Sequence, residues 1–365
     1  MNDDPKAPPP GGTAGPTLPG GGRRARVRLS EAELVKFAPL RQDGILPILA
    51  TPTVEGVDIA SWAERNRDVL RSRLVENGAI LFRRFEVAGS EGFERLIAAV
   101  SGSLLEYTYG STPRTRVGGS IYTSTEYPPH QEIPLHNEMS YSRDWPLKIW
   151  FFCVQPAPQG GETPIADSRR VFQRVPPALR DRMIAKGVLY VRNYGPGLDV
   201  PWQKVFQTDE RSKVEEFCRA TGIEFDWIDG DRLRTREICQ AAEEHPITHE
   251  PVWFNQAHLF HVSNVSPEAR EQLLASFDEE DLPRNSYYGD GSPFSDGDLE
   301  LIREAYRAET ISFPWLSGDI LMVDNMLTAH ARRPYSGPRR VIVGMAESWR
   351  QSRGDSAGSA TEPRP

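Results

Sequence analysis

The chain has 365 residues, of which 38% are hydrophobic and 26% are charged, a composition that predicts a globular protein with a sizeable core. Its net charge is −8, which argues against nucleic-acid binding, because that binding depends on clustered cations. No apolar run is long enough for a transmembrane helix, and the first ten residues, MNDDPKAPPP, lack the apolar segment of a secretory signal.

The three cysteines, Cys153, Cys218 and Cys239, are odd in number, widely spaced and outside any CxxC motif. This pattern disfavours a disulfide framework or a thiolate zinc site, and it predicts a reducing, cytoplasmic location. Cys153 lies in an apolar run and is predicted to pack in the core.

Composition divides the chain into three parts. Residues 1–27 are rich in Pro and Gly, and residues 351–365 are mostly small and polar. Both segments are predicted to be disordered tails, because they offer too little apolar surface to offset the entropy of ordering. Residues 28–350 are predicted to form a single folded domain.

Helix and strand signals follow one another irregularly along this domain. A helix is predicted from Ile59 to Glu76, and later helices are predicted after the capping residues Ser90, Ser266 and Ser295 and from Lys213 to Thr221. Short apolar runs predict strands at 79–82, 148–155, 320–323 and 341–346. These strands are far apart in sequence and no βαβ unit repeats. The predicted fold class is therefore mixed β with helical insertions, on an antiparallel core such as a jelly roll.

Two of the seven histidines begin a His-x-Glu pattern, in which both side chains point to the same side of an extended chain. Chance alone gives about one such match in a chain with seven histidines and 51 acidic residues. We assign His130-x-Glu132 to chance. The second match, His136-x-Glu138, lies in a short extended segment before the long apolar strand.

A third candidate ligand, His330, follows the predicted strand at 320–323, six residues after Asp324. Two histidines and one carboxylate form the facial triad that leaves iron coordination positions open. Arg340, ten residues after His330, enters the next strand and is suited to hold a carboxylate through a bidentate pair.

Taken together, His136-x-Glu138, Thr163 after Gly-Gly-Glu, and Asp324-Asn325-x₄-His330-x₉-Arg340 resemble the taurine dioxygenase (TauD/TfdA) family of iron(II)/2-oxoglutarate-dependent oxygenases. The resemblance extends from about Gly78 to Trp349. It implies a double-stranded β-helix, or jelly-roll, core and the use of O₂. It also implies iron(II) bound by His136, Glu138 and His330, with 2-oxoglutarate held by Thr163 and Arg340.

The resemblance also bears on the substrate. Glu138 stands where the family more often has Asp, and Gly344 stands where taurine dioxygenase has a second arginine for its sulfonate, so a sulfonate substrate is not expected. Other segments are similar to the SyrP-like amino-acid hydroxylases of peptide natural-product assembly lines. This branch implies an amino-acid substrate, free or bound to a peptidyl carrier protein, in antibiotic biosynthesis.

A polar and aromatic segment is the candidate substrate pocket, although aromatic residues at this density are also typical of a core. It consists of Trp253, Phe254, Asn255 and Gln256.

Several alternatives to hydroxylation remain open. The same enzyme class can desaturate its substrate, whereas halogenation is disfavoured because it normally requires the carboxylate ligand to be absent, and Glu138 is present. From other classes, a zinc hydrolase or a non-catalytic jelly-roll binding module is compatible with the histidines, but no HExxH motif supports the hydrolase.

Overall fold

A computed structural model describes residues 1, 30–42, 44–106, 109, 114–124, 127–195, 200–228 and 230–351. Apart from Met1 and Gln351, the two predicted tails lie outside the described residues.

Nineteen strands occur in this described part of the chain. They are β1 (Val35–Arg41), β2 (Gly44–Pro52), β3 (Ala79–Phe82), β4 (Arg116–Gly118), β5 (Ile121–Thr123), β6 (Ile133–His136), β7 (Asp144–Gln155), β8 (Gln159–Gly160), β9 (Ile165–Asp167), β10 (Val188–Tyr194), β11 (Glu224–Ile228), β12 (Arg232–Cys239), β13 (Ala242–Glu244), β14 (Pro251–Trp253), β15 (Arg284–Tyr288), β16 (Ile320–Asp324), β17 (Thr328–Arg332), β18 (Tyr335–Ser336) and β19 (Arg340–Arg350).

Ten α-helices connect the strands within the described ranges. They are α1 (Ile59–Arg65), α2 (Arg67–Asn77), α3 (Gly89–Ser101), α4 (Ser168–Arg174), α5 (Pro177–Lys186), α6 (Trp202–Val205), α7 (Arg211–Thr221), α8 (Ala257–Phe260), α9 (Pro267–Ser276) and α10 (Asp296–Glu309). Among the described residues, no helix has the length and apolar character that crossing a bilayer would require.

The strands form one large sheet and several small ones. The large sheet has the order β1-β2-β3-β16-β7-β19-β5-β4, and its neighbouring strands are antiparallel except for the parallel pair of β2 and β3. A three-stranded sheet has the order β6-β17-β9, and a four-stranded sheet has the order β11-β12-β10-β15. The predicted fold class, mixed β with helical insertions, is confirmed, and β3, β7, β16 and β19 contain the four predicted strands.

Two helix predictions need correction. Helix α3 begins at Gly89, so Ser90 lies inside this helix and does not cap it. The segment predicted as a single helix from Ile59 to Glu76 forms α1 and α2, which are separated at Asn66. There the backbone leaves the helical region (φ −121°, ψ 30°), and the Asn66 amide donates to the carbonyl of Trp62 (2.8 Å). Asparagine competes in this way with the helical backbone for hydrogen bonds.

Strand β7 is buried on both faces, which explains its unbroken apolar run. Trp150 and Phe152 pack with Phe93 of α3 in one apolar cluster, whereas Phe151 and Cys153 belong to a second cluster on the other face. Like the other two cysteines, Cys153 is a buried free thiol, as the sequence predicted.

The three-stranded sheet packs against this second face of the large sheet. The ring of Phe151 lies 5.1 Å from the ring of His330 on β17, and Ile165 of β9 joins the same apolar cluster as Phe151. The space between the two sheets is where the candidate metal ligands meet. Residues 168–309, which contain α4–α10 and the four-stranded sheet, form a long insertion between β9 and β16.

Candidate metal centre

Two histidines face each other across neighbouring strands of the three-stranded sheet. His136 is the last residue of β6, and its partner in the antiparallel register with β17 is His330. Side chains at paired positions share one face of a sheet, and the centroids of these two imidazole rings are 4.5 Å apart. The strand register therefore joins two histidines that are far apart in sequence.

The turn after β6 places Glu138 beside these rings. Its backbone N–H donates to Oδ1 of Asn325 (2.8 Å), and the Asn325 amide donates to the Glu138 carbonyl (2.9 Å). The side chain of Asn137 donates to the Asn325 carbonyl (2.6 Å). Asn325 is therefore a positioning residue for the turn that carries the carboxylate, a role that the sequence motif did not reveal.

The three side chains converge on one point. One ligand atom from each of His136, Glu138 and His330 lies within 4.8 Å of the other two. Nδ1 of His136 donates to the carbonyl of Pro134 (2.8 Å), which leaves the lone pair on Nε2 for a metal. Two imidazoles and one carboxylate are the ligand set of open iron(II) sites, so these residues fit the metal that the resemblance implies.

Two of the candidate ligands, His136 and Glu138, already have the protonation states that metal binding requires. Burial, reinforced by His330, lowers the pKa of His136 to about 4, so its imidazole is neutral at physiological pH. Burial favours the neutral form of Glu138, but Arg114 and His330 outweigh it and hold the pKa of this carboxyl below its usual range. The carboxylate is therefore ionised before any metal binds.

Arg114 is the charge partner of Glu138. Its guanidinium donates to Oε2 of the carboxylate (2.7 Å), and both side chains are at most 5% exposed. Removing one partner of a buried ion pair typically costs about 3–5 kcal/mol, because the other charge remains buried. Sequence reasoning missed Arg114, which belongs to no motif and precedes the three-residue strand β4.

The two histidines and Arg114, the partner of Glu138, line a cavity of about 30 Å³ between the two sheets, named here the metal cavity. Its lining includes Arg114, His136, Phe151, Thr163, His330, Arg339 and Val343. Thr163 is thus in the predicted place; it is 2% exposed, and its hydroxyl accepts a hydrogen bond from Nε1 of Trp315 (3.1 Å).

The arginine in the lining of the metal cavity is Arg339, which directly precedes β19, and not the predicted Arg340. Arg340 is exposed, pairs with Gln155 of β7, and is separated from Val341 by a bulge. Arg339 lies two residues before Val341 and four before Val343, both in the apolar cluster on the cavity side. Continued one residue back from β19, the alternation of faces puts Arg339 on their side, in agreement with its place in the cavity lining. This alternation was the available signal, whereas the spacing from His330 did not separate two adjacent arginines.

A glycine makes room for the Arg339 guanidinium. Nε of Arg339 donates to the carbonyl of Gly161 (2.9 Å), and Nη1 donates to the hydroxyl of Ser124 (3.3 Å). Gly161 has φ +74°, and a Cβ at this position would lie 2.9 Å from Cδ of Arg339. Burial and the nearby Arg332 lower the pKa of Arg339 to about 10, so it stays protonated at neutral pH. A protonated guanidinium beside the Thr163 hydroxyl suits a carboxylate.

Because the arginine of the cavity is Arg339, the position that would match the sulfonate-binding arginine of taurine dioxygenase moves from Gly344 to Val343. Four residues after Arg339 stands Val343, which is 1% exposed and lines the metal cavity. Gly344 faces the opposite side, where an added Cβ would lie 2.5 Å from Ile97 of α3. The position is therefore apolar, and the residue there is Val343 rather than Gly344.

The four residues predicted to form a substrate pocket are not part of the lining of the metal cavity. They are Trp253, Phe254, Asn255 and Gln256, each at most 2% exposed. The Asn255 amide donates to the carbonyl of Ala241 (2.6 Å), and the Gln256 amide donates to that of Asn137 (2.8 Å). The side-chain amides of Asn255 and Gln256 thus pair with buried backbone carbonyls, and Gln256 supports the turn between His136 and Glu138.

The remaining histidines lie outside the triad. His130 is exposed, and Glu132 forms an ion pair with Arg333 (2.8 Å), in agreement with a chance match. His245 is buried, and its Nε2 donates to Oδ2 of Asp324 (3.2 Å). That bond anchors the turn between β16 and β17.

Comparison with known proteins agrees with the resemblance that the motifs suggested. The family model of the taurine catabolism dioxygenase TauD, TfdA family matches residues 37–346. The dapdiamide synthesis protein DdaC of Enterobacter agglomerans is 38% identical over 274 residues, which cover 75% of this chain and 83% of that protein. The clavaminate synthase-like protein At3g21360 of Arabidopsis thaliana is 31% identical over 296 residues, covering 76% and 84%.

Among solved structures, the PvcB protein of Pseudomonas aeruginosa has a similar fold. Its TM-score is 0.51 at 14% sequence identity, and the match covers 89% of this chain and 94% of PvcB. The family match over most of the chain, together with the His136, Glu138 and His330 triad, favours the dioxygenase class over a zinc hydrolase. The chain belongs to the TauD/TfdA family and is an iron(II)/2-oxoglutarate-dependent dioxygenase.

Proposed function

We propose that this enzyme hydroxylates an unactivated C–H bond of an amino-acid-like small molecule in natural-product biosynthesis. In this proposal His136, Glu138 and His330 hold the iron, and Thr163 and Arg339 hold the distal carboxylate of 2-oxoglutarate. The core is proposed to be a double-stranded β-helix, with the large and three-stranded sheets as its two walls. The convergence of the triad with Arg339 in one buried cavity is the observation that carries the proposal.

Bound iron, 2-oxoglutarate and O₂ supply the oxidation: 2-oxoglutarate becomes succinate and CO₂, and one oxygen atom enters the substrate C–H bond. The protein's own groups orient and protect this chemistry. His136 and Glu138 are fixed by Pro134 and Asn325, so the ligands are preorganised. Phe151 and Val343 form an apolar wall that excludes water.

Two considerations support the substrate class. DdaC is by name a protein of dapdiamide synthesis, and PvcB is an Fe, alpha-ketoglutarate dependent oxygenase from an isonitrile synthetic pathway. In addition, the apolar Val343 stands four residues after Arg339, so this position offers no cation to a sulfonate. A buried sulfonate without a cationic partner would be strongly disfavoured.

The test is succinate formation by the iron-loaded enzyme with taurine, with free amino acids and with the same amino acids loaded on a carrier protein. Turnover on an amino acid supports the proposal, and the loaded forms show whether a peptidyl carrier protein is the partner. Turnover on taurine alone would contradict it. Mass spectrometry of the product separates hydroxylation, which adds one oxygen atom, from desaturation, which removes two hydrogen atoms. His330→Ala is the control for metal-dependent turnover.

A further inference from the structure

A second cavity lies on the other face of the three-stranded sheet, between β6, β17 and the helices α8 and α10. We name it the helix-side cavity; its volume is about 460 Å³, within the usual range of small-molecule sites of about 300–1,000 Å³. Its lining includes Leu135, His258, Arg303, Tyr306 and Arg333.

Two buried polar atoms of this lining have no hydrogen-bond partner among the residues that the structure describes. They are Nδ1 of His258 and the hydroxyl of Tyr306, in side chains that are 1% and 3% exposed. Native proteins rarely leave such groups unpaired. The two rings are 4.8 Å apart, so both groups belong to one small region of the cavity.

The tautomer and charge of the His258 ring determine which group of a ligand it can bind. Its Nε2 donates to the carbonyl of Leu135 (3.0 Å), so Nδ1 carries a lone pair. Burial, and next Arg303, lower the pKa of His258 to about 3, which keeps the ring neutral. Nδ1 therefore accepts a hydrogen bond, and a ligand there must offer an O–H or N–H group.

The charges of the lining favour an anion. Arg303, Arg307 and Arg333 line the cavity; Glu132 pairs with Arg333 (2.8 Å) and Glu300 pairs with both Arg303 and Arg307, so three arginines face two carboxylates. The Arg303 guanidinium is held in place by the carbonyl of His258 (3.1 Å) and the hydroxyl of Ser263 (2.8 Å). A cation fixed in this way loses little entropy when it binds a carboxylate.

From these contacts we infer that the helix-side cavity binds a small carboxylate that also carries a hydroxyl or amino group. Its carboxylate meets the arginines and the Tyr306 hydroxyl, and its donor meets Nδ1 of His258. Leu135 and Ala331, which line this cavity, each adjoin a metal ligand, His136 or His330. An occupant of this site therefore contacts the strands that position the metal.

The experiment uses the full chain with Mn(II) and saturating 2-oxoglutarate, so that the metal cavity is filled. Calorimetric titrations compare L-malate and L-aspartate with succinate, which lacks the donor. We expect L-malate or L-aspartate to bind about fivefold more tightly than succinate, because one net hydrogen bond changes affinity by about this factor. Equal affinities for all three would overturn the donor assignment, and the absence of binding by all three would overturn the site.

Variants locate the binding. Tyr306→Phe and Arg333→Gln should weaken L-malate or L-aspartate binding about fivefold or more, and Arg333 is a surface residue whose loss leaves the fold intact. The exposed control Arg170→Gln should have no effect. Binding that survives Tyr306→Phe and Arg333→Gln but disappears in Arg339→Gln would place the ligand in the metal cavity and overturn the inference.

Discussion

Histidines lie on both sides of the three-stranded sheet, but among the described residues only those on the inner side meet a carboxylate. On the inner side, His136 and His330 converge with the ionised Glu138. On the helix side, His258 of α8 is more deeply buried than His136, but its Nε2 donates to the carbonyl of Leu135, and the charged side chain that most affects its pKa is Arg303. Burial therefore does not identify a metal ligand; convergence with a carboxylate and a free imidazole nitrogen does.

The largest effect should come from replacing a histidine of the triad, compared with replacing a histidine outside it. His330→Ala should abolish stoichiometric metal binding and turnover, because two remaining ligands hold a labile iron(II) poorly. His258→Gln should retain both, as should His130→Ala at the surface. Metal content after dialysis, measured with succinate formation, checks this prediction, and stoichiometric iron in His330→Ala would refute the triad.

A smaller effect is expected at the two adjacent arginines. Arg339→Gln should raise the KM for 2-oxoglutarate about 10- to 150-fold, which corresponds to losing a charge-assisted hydrogen bond of about 1.5–3 kcal/mol. Arg340→Gln, at the exposed neighbour, should leave KM nearly unchanged. A larger effect at Arg340 would show that the strand register described here is wrong.

The partner of the ligand carboxylate gives the next prediction. Arg114→Gln should weaken Mn(II) binding about 10- to 100-fold, the usual range for residues that orient a metal ligand. Arg116→Gln, two residues along the chain with an exposed side chain, is the matched control. Unchanged or tighter Mn(II) binding in Arg114→Gln would mean that the guanidinium competes with the metal instead of supporting Glu138.

The Trp253–Gln256 segment should affect stability more than catalysis. Gln256→Ala should lower the free energy of unfolding by about 1–3 kcal/mol, because the Asn137 carbonyl loses its buried donor. The KM values for cosubstrate and substrate should stay close to those of the native enzyme. Gln272→Ala on the exposed face of α9 is the control, and a change in substrate KM without loss of stability would restore the original substrate-pocket prediction.

The last prediction concerns pH. His258 has a folded-state pKa of about 3, below its ordinary value of 6.5, so the unfolded chain binds more protons between these values. Stability must then fall as pH falls through this window, by about 1.4 kcal/mol per unit for this histidine. Urea unfolding of the metal-free protein from pH 6.5 downwards should show a shallower slope in His258→Gln. An unchanged slope would mean that the histidine is solvated.

The sequence was sufficient for the parts of the site that rest on spacing and order. The order and spacing of motifs can be read directly from the sequence, which is why His136-x-Glu138, Thr163 and His330 could be recognised. The structure brings these residues together. To choose between Arg339 and Arg340, one must know which face of β19 points toward the metal cavity. That depends on which side of the large sheet packs against the three-stranded sheet.

Other parts of the site are set by tertiary contacts that leave no local pattern. Arg114 enters the site from a segment without a motif, and it is defined only by its 2.7 Å contact with Glu138. The composition of the Trp253–Gln256 segment is compatible with a ligand pocket and with a core. Its hydrogen bonds to the carbonyls of Ala241 and Asn137, which favour a role in the core, are visible only in the structure.

The measurement that tests the central claim most directly is diffraction from crystals grown with Mn(II) and 2-oxoglutarate, with data collected at the manganese absorption edge. The account predicts one strong anomalous peak bound by His136, Glu138 and His330, with the distal carboxylate of 2-oxoglutarate on Arg339 and Thr163. A peak at any other set of residues, or a distal carboxylate bound by Arg340, would contradict it.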